Sequence, residues 1–334
     1  MRPFRGRLTR PTTILRIAGA EGHTNSGRAW IFVFAATVAV AILAAGFAVA
    51  GAPSSAEARR YSAYADREKP VISFLLSEPA NVEDFKREFS LTDAEMQDVL
   101  DAVRWENEIL AETYAKSETI VNANRELPRD RVRQKMAASS YDESVRTAVA
   151  ETKGEVRRIL PPGSQPDLQR WVDARWQEER ESLDQEPSTS LTTSALKTGM
   201  TFRVFATQYV GYTKREVAMP YRKLAALGGY KVRIRPAGSS TKVWAGVKDV
   251  GPWNTYDNWY AFKEYRVMWK DLPRGLPEAQ AAYFDNYNRG KDEFGREVLN
   301  PAGIDLTRAV ARDAGLGRYE NSWVYVYVPW AKHY

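Results

Sequence analysis

Hydrophobic positions fall into three textures along the chain. The first is continuous. Residues 30–52, WIFVFAATVAVAILAAGFAVAGA, carry no charge over 23 positions, about the length that crosses ~30 Å of hydrocarbon, and so predict a single transmembrane helix. The second is helical. Thr92 and Glu95 stand at capping-box spacing, and Met96, Val99, Val103, Leu110 and Tyr114 recur at helical intervals after them, which predicts a long amphipathic helix from Asp93. Further helices are expected around 140–159, ended by Pro161-Pro162-Gly163, and around 166–184, where Leu168, Val172 and Trp176 fall four apart. Residues 70–185 therefore read as a helical bundle or stalk. The third texture is β-like, in short runs at 201–209, 230–235, 242–247 and 322–330. In the last, Val324, Val326 and Val328 alternate with Trp323, Tyr325 and Tyr327, as a strand with two environments requires. Asp305 is placed to cap a helix over LTRAVARDAGLG, ended by Gly315 or Gly317.

The segments between these textures complete the division. Residues 53–69 and 186–199 have linker composition. The second linker leaves 200–334 as a mainly β domain expected to fold alone.

Charge is unevenly distributed. Residues 1–29 hold six Arg against one acid, residues 30–199 have an acidic excess, and residues 200–334 carry 21 basic and 13 acidic side chains, or +8. By the positive-inside rule the basic tail 1–29 stays in the cytoplasm and the C-terminal domain is extracytoplasmic. A cleaved signal peptide competes with the anchor, and exports the remainder equally. The lipid bilayer is then a partner through residues 30–52. The basic C-terminal part suits an anionic envelope polymer rather than nucleic acid, a solvated basic surface being the alternative.

The chain has no Cys, and its two His are His23 and His333. That excludes disulfides and leaves no Ser-His-Asp triad or His-rich metal site in the β-rich part. No metal or cofactor is expected.

Three pieces in order, GYKVRI at 229–234, VKDVGPW at 247–253 and NPAGIDLTRAVARDAGLG at 300–317, followed by the valine strand, resemble the rare lipoprotein A-like family. The resemblance covers about residues 200–330, and the family's barrel is related in fold to that of expansins. It implies a six-stranded double-psi β-barrel, here with an insertion at 258–299, acting on peptidoglycan. It also implies Asp249 as the carboxyl of the turn motif, serving as general acid and base in a lytic transglycosylase. Active members place a His where this chain has Lys223, and the turn reads Lys248-Asp249-Val250 rather than Asn-Asp-Arg.

The aromatic run after the turn supplies a binding alternative. Trp253, Tyr256 and Trp259 with Asp257 combine flat rings and short polar groups, which suits sugars. These residues and Lys223 are the expected glycan contacts, several of the rings being equally suited to form a core. The missing His favours a membrane-anchored envelope protein whose barrel binds cell-wall glycan, with a lytic transglycosylase using Asp249 and a scaffold that recruits a membrane partner through its helices as the alternatives.

Overall fold

The computed structural model describes residues 69–185, 199–211, 213–318 and 320–333. Six helices come first: α1 (Val71–Leu75), α2 (Pro79–Glu88), α3 (Asp93–Ala123), α4 (Arg129–Ala137), α5 (Tyr141–Ile159) and α6 (Gln165–Gln185). The start of α3 is fixed by the capping box: Thr92 Oγ1 accepts the Glu95 N–H at 3.3 Å, and Glu95 Oε2 accepts the Thr92 N–H at 2.8 Å. Its buried stripe, with Met96, Val99, Val103 and Leu110, packs along α5, which buries Val145, Ala148, Val149 and Val156.

Six strands follow: β1 (Met200–Tyr209), β2 (Glu216–Met219), β3 (Lys231–Pro236), β4 (Val243–Val250), β5 (Ala302–Thr307) and β6 (Ser322–Val328). They close a barrel in the order β1-β5-β2-β4-β3-β6. Strand β1 runs parallel to β5 and β2 parallel to β4, while the other neighbours are antiparallel. Helices α7 (Arg222–Leu227), α8 (Glu278–Asp285) and α9 (Arg308–Ala314) lie in the connections. The alternation expected in β6 is present: Val324, Val326 and Val328 are fully buried inside the barrel and Tyr325 and Tyr327 are half-buried outside. Trp323 shares the outer face yet is buried, because α6 covers it and Glu179 accepts its Nε1–H at 3.2 Å.

The structure corrects the expected architecture at the membrane. Among the described residues no helix is long and apolar enough to cross a bilayer. The long helices α3 and α6 are amphipathic, with charges on nearly every turn. The segment 30–52, the tail 1–29 and the linkers 53–69 and 186–199, save Lys69 and Gly199, lie outside the described residues.

Nor do the helices form a stalk standing apart from the barrel. One apolar cluster contains α1, α3 and α6 together with Phe205, Trp253, Tyr283, Phe284 and Trp323. Phe74 of α1 meets Phe205 of β1 at 5.2 Å between ring centroids and Tyr283 of α8 at 5.4 Å, while Trp176 of α6 meets Phe284 at 5.0 Å. The insertion 258–299 is the joint. Lys69 Nζ donates to the carbonyls of Ala282 and Tyr283, Arg133 Nε donates to the Glu293 carbonyl, and Lys291 pairs with Asp142.

Candidate functional site

Strand register brings two carboxylates to either side of one small residue. Ala218 of β2 pairs with Asp249 of β4 on one flank and with Asp305 of β5 on the other. Asp305 stands between the core residues Ile304 and Leu306, so the alternation of a strand turns its side chain out of the barrel. It is strand, not a helix cap: α9 begins only at Arg308, with Thr307 at its N-cap position. Thr207, its partner in β1, donates Oγ1–H to Asp305 Oδ1. The other oxygen, Oδ2, faces Gly251 (φ 146°), where a Cβ would lie 3.6 Å away.

Asp305 forms part of the wall of a cleft of about 830 Å³ between the helices and the barrel. Tyr114, Trp253, Thr207, Tyr209 and Asn300 line it with Asp305, and Arg104, Arg308 and Arg318 also contribute. The volume is that of a small-ligand site. Tyr209 donates to Glu216 Oε1 at 3.2 Å, while Thr213 gives its N–H and hydroxyl to Oε2 at 2.8 and 2.6 Å. That staple shapes the loop from β1 to β2.

Removal from water pushes the Asp305 carboxyl up to about 7. That position is the net of burial, of the opposing Thr207 hydrogen bond, and of the smaller upward push from the nearby charges of Asp249 and Glu118. Asp249 is also raised, mainly by burial and then by Glu216 and Glu118, although its Oδ1 accepts the Val250 N–H at 2.8 Å. A carboxyl balanced near neutrality can both give and take a proton, as acid–base chemistry demands.

The residues singled out from sequence are dispersed. Asp249 is half-buried and does not line the cleft. Trp253 does line it, but as a buried wall: it stands edge-to-face with Tyr114 at 5.0 Å, and its Nε1 donates to Asn300 at 3.2 Å. Trp259 is wholly buried in the barrel core, donating to the Gly303 carbonyl at 3.1 Å, and offers no ring face to a sugar. Asp257 is buried in an ion pair with Arg266 at 2.6 Å and caps α8 by accepting the Glu278 N–H at 2.7 Å. The ring of Tyr256 is half-buried, with the guanidiniums of Arg129 and Arg222 4.9 and 5.8 Å from its centroid. Lys223 is exposed on α7, outside the cleft lining. The expected aromatic platform is therefore not assembled, because Trp259 is taken up in the barrel core, Trp253 in the contact with α3, and Tyr256 between two guanidiniums.

Residues 194–327 match a family described as a domain of unknown function, DUF8814. The match takes in the barrel and its insertion but not helices α1 to α6. No curated protein and no solved structure matches the chain. Among the described residues no group of three or more His, Cys, Asp or Glu side chains is placed to hold a metal ion.

Proposed function

We propose that the cleft takes a glycan strand and that Asp305 is the acid–base group of its cleavage. Peptidoglycan is the substrate class and lytic transglycosylation the reaction that the sequence resemblance implies, and a double-psi topology belongs to the same reading. Support for that topology comes from the closed six-strand order with its parallel pairs β1–β5 and β2–β4. One observation carries the functional reading: a carboxyl with a near-neutral pKa faces a cleft walled by aromatic and amide side chains.

The chemistry needs one such group. Protonated Asp305 gives its proton to the glycosidic oxygen as the bond to the anomeric carbon breaks. The 6-hydroxyl of the same sugar then forms the new bond to that carbon, and its proton passes to the Asp305 carboxylate. Atoms and charge balance without water, and the acid is restored. Thr207 fixes the orientation of Asp305 by bonding one oxygen, which leaves the other for the substrate. Asp249 assigned by resemblance becomes a tuning charge behind Ala218 in this reading, and the reacting carboxyl moves to Asp305.

A glycan-binding protein without turnover would need the cleft but no acid balanced near neutrality. The test is release of anhydro-ended fragments from purified peptidoglycan. Asp305→Asn should lower release by about 10²-fold or more while co-sedimentation with peptidoglycan persists. Wild-type protein that sediments but releases nothing would replace cleavage by binding alone, and an active Asp305→Asn would remove Asp305 from the chemistry.

A further inference from the structure

The barrel carries a second built surface, on the side away from the cleft. In the closed strand order β3 stands three places from β5 in either direction, so the outer face of β4, β3 and β6 lies across the barrel from Asp305. Outward positions of β3 are Lys231, Arg233 and Arg235, and β4 adds Trp244 and Lys248. Register sets Arg233 opposite Trp244 on one side and Tyr327 on the other, and sets Arg235 beside Tyr325. The Arg233 guanidinium lies 4.8 Å from the Tyr327 ring centroid and 5.6 Å from that of Trp244, and the Arg235 guanidinium lies 4.2 Å from the Tyr325 centroid. Among the described residues no carboxylate pairs with Lys231, Arg233, Arg235 or Lys248. Trp244 keeps 47% of its surface exposed, so the face is open.

Stacking on rings holds a guanidinium flat so that its N–H groups can fork a phosphate. Arg235 gives Nη1–H to the Ser239 carbonyl at 3.0 Å, which anchors it and leaves its Nη2 and Nε donors for that role. Arg233 and Arg235 lie two positions apart, ~6.7 Å along the strand. Lys231 extends the row by the same step, a spacing that successive phosphates of an extended phosphodiester chain can follow. Sequence-tolerant single-strand nucleic-acid binding depends on ring faces open for base stacking. Here the guanidiniums of Arg233 and Arg235 occupy faces of the Tyr327 and Tyr325 rings, which favours a polymer without bases. We propose that this face binds a polyol-phosphate chain, with Arg233 and Arg235 each engaging one phosphate and Lys231 and Lys248 adding charge.

The test uses the full chain and poly(glycerol phosphate) as probe, followed by calorimetry at several salt concentrations. Wild-type protein should bind with affinity that falls as salt rises. Arg233→Gln with Arg235→Gln should weaken binding at least tenfold and reduce the slope of log affinity against log salt by roughly 1.4, about 0.7 for each lost cation on a single-stranded polyanion. Arg233→Lys with Arg235→Lys should keep most of the slope yet lose affinity, since the charge stays and the flat fork goes; it also serves should the Gln pair not fold. Failure of wild type to bind, equal binding by the Gln pair, or tighter binding of single-stranded DNA or of polygalacturonate would each overturn the assignment.

Discussion

Between about pH 4 and 7, the folded chain keeps a proton on Asp305 that the unfolded chain has released, since the carboxyl moves from 3.8 to about 7 on folding. The folded state binds more protons there, so this group makes stability fall as pH rises through that window and leaves it level above 7. At about 1.36 kcal/mol per pH unit the penalty reaches roughly 4 kcal/mol at most. Asp305→Asn should remove it, because the amide oxygen can still accept the Thr207 hydroxyl. The variant should therefore melt above wild type at pH 8 and level with it at pH 4, and pH-independent equality would show that Asp305 ionises freely in the fold. Activity should have the matching alkaline limb, falling as pH passes 7 and the acid is lost. Neighbouring residues explain why the sequence pointed elsewhere. The turn motif drew attention to Asp249, and the helical texture of LTRAVARDAGLG made Asp305 resemble a cap. The contrary signal was Ile304 and Leu306 on either side, a strand alternation too short to stand out before a helix.

At the scale of elements, the caps, the long helix α3 and strand β6 were legible because each depends on local spacing. The insertion was not. Its Arg266, Asp292 and Arg296 are all buried, as is Asp257 just before it, and only a partner distant in the chain or across a turn reveals it. Arg296 is the clearest case. Its Nε donates to Asp292 at 2.6 Å and its Nη2 to the Trp253 carbonyl at 2.7 Å, while Nη1 reaches Glu118 on α3. Burial raises Asp292, and Arg296 with two backbone N–H donors opposes the rise. Arg296→Leu should cost about 3–5 kcal/mol in urea unfolding, because Asp292 is left as an uncompensated buried charge. Adding Asp292→Asn should recover part of that loss, since an amide oxygen still accepts the Phe294 and Arg296 N–H groups. A double variant no more stable than the single one would assign the cost to packing instead.

For the molecule as a whole, the linker composition at 186–199 suggested a boundary that the apolar core does not respect. Composition reports how a connecting segment is solvated; it does not report whether the elements on its two sides later pack together. Phe205, Trp253, Tyr283, Phe284 and Trp323 belong to the C-terminal part, yet they are buried in the same cluster as Phe74 and Trp176 of the helices. Aromatic side chains bury ~150–250 Å² each. Uncovering about half of five such rings exposes on the order of 500 Å², which at ~25 cal/mol per Å² is on the order of 10 kcal/mol. That is comparable with the whole stability of a typical domain, ~5–15 kcal/mol. A fragment of residues 199–334 should therefore lack a cooperative thermal transition and bind a hydrophobic dye, whereas 69–334 melts in one step. The cleft tests the same point independently, since Tyr114 of α3 packs edge-to-face on Trp253 in its wall and the fragment would keep Asp305 without that part of the wall. A 199–334 fragment that melts cooperatively at the temperature of the longer chain would show that the barrel core alone holds the fold. It would also show that the helices contribute the cleft wall and little stability.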